Sequence, residues 1–171
     1  MKQAVTTTDW RKGIHMDVMQ KFTGKAAIYD RSRPGYPPEL LDWWQTVGGP
    51  LKGDTVADVG AGTGIFTQQL LERGLTVYAV EPNRDMGAAL QKRLAGYPHW
   101  QWIVQKAEQT GLAAGSLQGI TVAQAFHWLD VARFRAECQR ILAPEGQVLL
   151  VWNSRDATRP LVRENEEICK A

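Results

Sequence analysis

The sequence predicts an α/β fold, a doubly wound parallel sheet with helices on both faces. Three observations carry this. From Pro38 onward, short apolar runs alternate with amphipathic stretches of helical period. A glycine-rich turn, Gly60 to Gly64, follows the first of those runs directly. The 171 residues are 44% hydrophobic and 22% charged, which suits a single core and excludes a disordered chain. Strands separated by helices pair in parallel through right-handed crossovers, so both faces of the sheet must be covered.

Each element follows in order. Residues 1–28 are polar without a sustained period and read as an N-terminal arm; the domain proper is expected over 29–171. Tyr29 to Pro38, YDRSRPGYPP, is a loop, because three prolines in five positions stop a helix. Pro38 to Val47 reads as a helix with Leu40, Leu41, Trp44 and Val47 inward and Gly48-Gly49 as its stop. Thr55 to Val59 is a strand. Ile65 to Arg73 is a helix closed by Gly74. Leu75 to Val80 is the second strand, and Asn83 caps a helix through Met86, Leu90 and Leu94 that ends at Gly96. Trp100 to Val104 and Ile120 to Ala125 are the third and fourth strands. Asp130 caps a helix with Val131, Phe134, Cys138, Ile141 and Leu142 inward, and Gln147 to Trp152 is the fifth strand. A charged helix is expected from about Leu161.

Composition narrows the function classes. Twenty Lys+Arg against 18 Asp+Glu leave a formal charge of +2, no signature of nucleic acid or an anionic membrane as partner. The longest apolar runs, such as Val148 to Trp152, are too short to span a bilayer, and the N-terminus carries no apolar signal segment. Cys138 and Cys169 make no disulfide scaffold, and no Cys/His cluster suggests a metal. A cytoplasmic setting and no metal are the expectations. The sequence sets no oligomeric state.

In open parallel sheets, ligands bind beyond the carboxyl ends of the strands, where the strand order reverses. The first such end reads Asp58-Val59-Gly60-Ala61-Gly62-Thr63-Gly64. Its glycines let backbone approach a ligand closely, and the following helix presents free N–H groups. The dinucleotide fingerprint needs a glycine where Ile65 stands, and no Gly-Lys-Ser/Thr follows for a phosphate loop. Asp58 suits a cationic amino group better than a pyrophosphate. Glu81, 21 residues after Gly60 at the tip of the second strand, can accept both hydroxyls of a ribose. Glu108, at the third tip, is placed for an adenine edge or is a solvated loop residue. The set fits an adenosine bearing an amino-acid tail.

That set resembles the class I S-adenosylmethionine-dependent methyltransferases, with their Rossmann-like fold, from about Tyr29 to the end of the chain. DVGAGTG (Asp58 to Gly64) and VEPN (Val80 to Asn83) with Met86 match the family's first two motifs, and KAEQTGL (Lys106 to Leu112) its third-strand segment. AQAFHW (Ala123 to Trp128) and YDRSRPGYP (Tyr29 to Pro37) are similar to a signature and a lid of the type 11, trans-aconitate methyltransferase-like subgroup.

The resemblance implies S-adenosylmethionine as cofactor and a small-molecule methyl acceptor as partner. Gly60, Ala61, Gly62, Thr63 and Gly64 would hold the methionine tail, with Asp58 bracing the loop and attracting the ammonium. Glu81 and Pro82 would meet the ribose, and Met86, Ala107 and Glu108 would frame the adenine; Met86 fits core packing equally well. Gln124, Ala125, Phe126 and His127 would line the reacting end. His127 is either a general base or a loop-orienting group. Phe126 and Trp128 are either core or pocket wall. Tyr29, Arg33 and Tyr36 would form a lid, and Arg31 and Arg33 either pair with a substrate carboxylate or stay solvated.

The chain departs from the family pattern in three places. Gln118 stands where relatives usually carry Asp, and the turn before the fifth strand is Pro144-Glu145-Gly146 rather than Pro-Gly-Gly. Five strands are legible before Ala171, where the family has seven, so a chain truncated at its C-terminus is expected. The alternatives are a non-catalytic or truncated cofactor-binding module and, less favoured by Ile65 at the third-glycine position, a nicotinamide-dependent oxidoreductase.

Overall fold

A computed structural model describes residues 35–153. The arm over 1–28, Tyr29, Arg31, Arg33 and the expected C-terminal helix lie outside the described residues. In chain order the elements are α1 (Glu39–Thr46), β1 (Thr55–Val59), α2 (Ile65–Glu72), β2 (Thr76–Val80), α3 (Arg84–Leu94), β3 (Trp100–Ile103), β4 (Leu117–Ala123), a 3-10 turn (Phe126–Trp128), α4 (Val131–Ile141) and β5 (Leu142–Val151). Among them no helix is long and apolar enough to cross a membrane.

The five strands form one sheet in the order β3-β2-β1-β4-β5. Every pair is parallel: Val56 of β1 lies between Val77 of β2 and Gly119 of β4. The chain winds from β1 outward to β3, then returns to the other side of β1. The reversal therefore falls between β1 and β4, the place where sheets of this kind bind their ligands.

Alternation along the strands divides the core into two. Val56, Val77 and Ala79 face Trp44 of α1, Phe66 and Leu70 of α2, and Leu90 and Leu94 of α3. Ala57, Val59, Val80, Ile120 and Val122 face Phe134, Cys138 and Ile141 of α4, together with Ala107 and Leu112. Those last two belong to the connection from β3 to β4, which holds no helix. The expectation of helices on both faces is met unequally: three cover one face, and α4 with this connection cover the other.

Local chemistry sets the helix ends. The Asn83 side chain accepts from the Asp85 and Met86 N–H groups at 2.9 and 3.0 Å, and Asp130 accepts from Arg133 N–H at 3.1 Å. Gly74 ends α2 at φ +76°.

Four boundary or facing expectations are corrected. Val47 and Val131, expected inward, are 48% and 55% exposed; Val47 is the C-cap of α1 and Val131 the first residue of α4, at the ends where a helix leaves its packed stretch. Strand β4 begins at Leu117 and stops at Ala123, because Gln124 turns to φ +58°. Strand β5 begins at Leu142, so Leu142 is a strand residue rather than the last inward position of α4. Pro144 to Gly146 then forms an irregularity inside β5, where the pairing shifts between Leu117↔Leu142 and Gly119↔Gln147 and Glu145 takes φ +66°. Gln118, the departure from the family pattern, accepts from Thr55 N–H at 2.9 Å and joins the starts of β4 and β1.

Candidate functional site

Strand β1 delivers the glycine loop to this reversal point. Gly60 takes φ +71°, and a Cβ there would lie 2.5 Å from the Ala125 Cβ, so the first loop residue touches the segment after β4. Only glycine allows both the conformation and the approach. Gly60 and Ala61 N–H both donate to the Val80 carbonyl, at 2.9 and 3.2 Å, which bends the loop over the tip of β2. Gly64 N–H closes the turn on the Ala61 carbonyl at 2.9 Å, and Gly64 itself, at φ +83°, is the N-cap of α2. The first-turn N–H groups of α2 thus begin at the loop.

Asp58 lies beneath this loop. It is 1% exposed, and its two carboxylate oxygens accept from the Thr67 hydroxyl at 2.6 Å and the Thr121 hydroxyl at 2.8 Å. One carboxylate thereby joins β1, α2 and β4. Burial pushes its pKa up to about 6, against the lowering effect of the hydroxyls. With its oxygens engaged below the surface, Asp58 is a brace. The expected direct attraction of an ammonium has no exposed carboxylate behind it.

Glu81 is 8% exposed at the end of β2. One oxygen accepts from Gly62 N–H at 2.9 Å, the other from Asn83 N–H at 2.8 Å. Its own carbonyl accepts from the Trp102 indole at 2.9 Å. Burial raises its pKa, with Asp58 adding to the rise and the two N–H groups opposing it. A carboxylate has about four lone-pair sites, so one accepted N–H per oxygen does not exhaust its capacity. Pro82, half-buried, continues the tip.

The remaining candidates divide. Met86 is 3% exposed and Ala107 6%, so both are packed before any ligand arrives. Glu108 is half-buried, and one oxygen accepts from Asp130 N–H at 2.9 Å, which ties the third tip to the start of α4. Gln124 N–H donates to the Val151 carbonyl at 2.9 Å, and its amide to the Asn153 carbonyl at 3.3 Å. Its positive φ is costly for a non-glycine residue and aims the next residues across β1. Phe126 meets Phe134 and Trp152 edge to face, with centroids at 6.2 and 6.0 Å. It packs against the core on the α4 face. His127 is exposed, with its ring 4.6 Å from that of Trp128. Tyr36 packs its ring edge on Phe66 at 4.9 Å, and its carbonyl accepts from the Gln69 amide at 2.6 Å. Of the lid expected at Tyr29, Arg33 and Tyr36, only Tyr36 lies among the described residues.

Reading the sequence for site residues passes over Thr67, Thr121, Trp102 and Arg93. Thr121 does leave a signal, as a lone polar residue inside the apolar run of β4, whereas Thr67 stands beside Gln68 and Gln69 and leaves none; both are fully buried.

The comparisons with known proteins agree with this architecture. A family profile described as a methyltransferase domain matches residues 57–150. An uncharacterized methyltransferase of Mycobacterium tuberculosis is 41% identical over 152 residues, 89% of this chain and 60% of that protein. A structure described as a type II methyltransferase from Anaeromyxobacter dehalogenans has 32% identity and a TM-score of 0.64, over 72% of this chain and 50% of that one. A SAM-dependent methyltransferase from Aquifex aeolicus shares the fold at a TM-score of 0.65 and 22% identity, over 81% of this chain and 79% of its own. The chain thus spans about 60% of the length of the curated mycobacterial relative. Because the family match runs from within β1 to within β5 and takes in more than half of the chain, this protein belongs to the type 11 methyltransferase domain family.

Proposed function

We propose that this chain binds S-adenosylmethionine at the carboxyl ends of β1 and β4 and moves its methyl group to a small-molecule acceptor. The observation that carries the reading is the junction of Glu81 with Gly62 N–H, which joins a ribose-type carboxylate to a glycine loop free of phosphate-binding signatures. The cofactor supplies a methyl group already activated on a sulfonium. The protein has then to align donor and acceptor and exclude water. Gly60 to Gly64 receive the amino-acid tail, and the spare lone pairs of Glu81 receive the ribose hydroxyls. Phe126 and Trp128 offer aromatic faces to a cation. His127, exposed beside them, takes the acceptor proton or fixes the acceptor.

The resemblance of AQAFHW and YDRSRPGYP to the trans-aconitate methyltransferase-like subgroup supports a metabolite rather than a macromolecule as acceptor. Cys138, a buried free thiol, accords with a cytoplasmic setting. Calorimetry with S-adenosylhomocysteine tests the binding half. Wild type should bind, and Glu81→Ala should weaken binding by at least about tenfold, the scale of a lost charge-assisted hydrogen bond. Equal affinity in the two proteins would sink the reading.

A further inference from the structure

We propose that Arg93 is a positioning residue for the glycine loop and sets how firmly the loop receives its ligand. Arg93 stands in the last turn of α3, 30 residues from the Thr63 whose carbonyl it meets. Its Nε donates to the Thr63 carbonyl at 2.9 Å, and one terminal nitrogen donates to the Gln68 side-chain oxygen at 3.3 Å. Its stem packs on the loop as well: a Cβ on Gly64 would lie 3.2 Å from Leu90 Cγ and 3.5 Å from Arg93 Cδ.

The bond to Thr63 matters because of what is at the other end of the same peptide. The Thr63 carbonyl and the Gly64 N–H belong to one peptide unit. That N–H closes the loop's turn on Ala61 at 2.9 Å. A cation bonded to the oxygen polarises the unit and strengthens the donor, so Arg93 and the turn reinforce one another. The turn in its bend carries Gly62, whose N–H is held by Glu81 at 2.9 Å. Arg93 and Glu81 therefore grip one loop through two different peptides.

Arg93 is itself held. The Gln68 amide nitrogen donates to Glu72 at 2.9 Å and to the Tyr97 hydroxyl at 3.0 Å, and that hydroxyl donates to Glu72 at 2.8 Å. This fixes the orientation of the Gln68 oxygen that faces Arg93. A loop held in its working shape before the ligand arrives loses less freedom on binding. Arginine suits the task because its fork serves the loop and α2 together, where lysine offers a single point charge.

The affinity arm rests on the cofactor reading above; an exchange arm does not. Amide exchange over residues 59–66 of the ligand-free protein is measured beside S-adenosylhomocysteine calorimetry, for wild type, Arg93→Met, Arg93→Lys and Tyr97→Phe. Arg93→Met should speed exchange of the loop and weaken binding, each about tenfold, and Arg93→Lys should recover part of both. Tyr97→Phe leaves Gln68 bonded to Glu72, so Gln68 keeps its orientation and this variant should stay within about twofold of wild type. Loop exchange unchanged in a folded Arg93→Met protein overturns the inference. So does an equal loss in Tyr97→Phe, which would mean general α2–α3 packing. Should Arg93→Met not fold, Arg93→Lys decides: the inference requires faster loop exchange at a near wild-type Tm. A wild type that ignores S-adenosylhomocysteine defeats the cofactor reading, and the exchange arm still decides the role of Arg93.

Discussion

At the scale of single residues, two positions bear most on the site. Gly60→Ala would place a methyl group 2.5 Å from the Ala125 Cβ at a backbone φ of +71°. Neither atom is the end of a flexible chain, so the backbone of the glycine loop or of the segment after β4 must move. A loss of about 2–4 kcal/mol in urea unfolding is expected, with S-adenosylhomocysteine affinity falling alongside. Asp58 makes the second case through pH. Its folded pKa, about 6, is above its ordinary 3.8, so the folded protein holds this proton more tightly than the unfolded chain. The stability this gives is present below pH 3.8 and is lost as pH rises through 6. The ionised, buried form then costs on the order of 3 kcal/mol at neutral pH. Relative to Asp58→Asn, wild type should lose about 2–3 kcal/mol between pH 4 and pH 7.5 in paired unfolding titrations. Parallel pH profiles would refute the buried brace. Asp58, the glycines and Glu81 were legible in the sequence because their spacing around one turn is itself the signal. Their partners were not. Thr121 is 63 residues from Asp58 and Arg93 is 30 from Thr63, and separations of that size are set by sheet order, which no local pattern encodes.

At the scale of elements, α3 and β3 meet through an absence. A Cβ on Gly87 would lie 1.8 Å from the Trp102 ring, so the indole lies flush on the helix backbone. There its N–H reaches the Glu81 carbonyl at 2.9 Å and steadies the tip of β2. Gly87→Ala sets two effects against each other. Alanine in a helix interior gains about 1 kcal/mol of propensity over glycine. Displacing this half-buried indole costs more, about 2–3 kcal/mol, and withdraws its hydrogen bond. The overlap decides the sign, so a net loss of about 1–2 kcal/mol is expected. Gly96, with nothing within 4 Å, is the control: Gly96→Ala should leave Tm unchanged or slightly raised. Thermal unfolding of the two variants gives both answers, and a stabilised Gly87→Ala would mean that Trp102 is not seated as described. Element identity was legible wherever local chemistry fixes it, as at the Asn83 and Asp130 caps and at Gly74. Boundaries were legible only where such chemistry marks them. The starts of β4 and β5 depend on cross-strand register, and Val47 and Val131 are exposed at helix ends, where the periodic pattern continues past the packed turns.

At the scale of the whole molecule, the two faces of the sheet are sealed differently, and the weaker seal depends on one carboxylate. Three helices cover the first face. On the other, α4 shares the cover with the helix-free connection over 104–116, whose Ala107 and Leu112 join that core. The connection is pinned by Glu137 of α4, 7% exposed, which accepts from Thr110 N–H at 2.8 Å and from the Thr110 hydroxyl at 2.6 Å. Arg140 then closes a two-bond fork on the same carboxylate at 2.8 and 2.7 Å. A charged residue on an amphipathic helix reads in sequence as a solvated face, so this pin left no trace there. The Arg140 fork, ahead of the opposing effect of burial and with help from Thr110, pulls the Glu137 pKa down to about 2. A folded pKa below the ordinary 4.5 means stability that is complete above pH 4.5 and is lost as pH falls through 2, a slope opposite to that of Asp58. Because Arg140 is 42% exposed, solvent screening reduces the ion pair's share, and Glu137→Gln should cost about 1–2 kcal/mol at pH 7. That gap should close between about pH 4.5 and pH 2, as the wild-type carboxylate takes up its proton. Glu137→Ala should do more, because it leaves the Thr110 N–H and hydroxyl buried without an acceptor, and the face should open as a unit. Amide exchange over 104–116 and α4 should then speed up together while α2 and α3 keep wild-type protection. Exchange that rises uniformly across both faces would show that the molecule unfolds as one body and that Glu137 holds no separate seal.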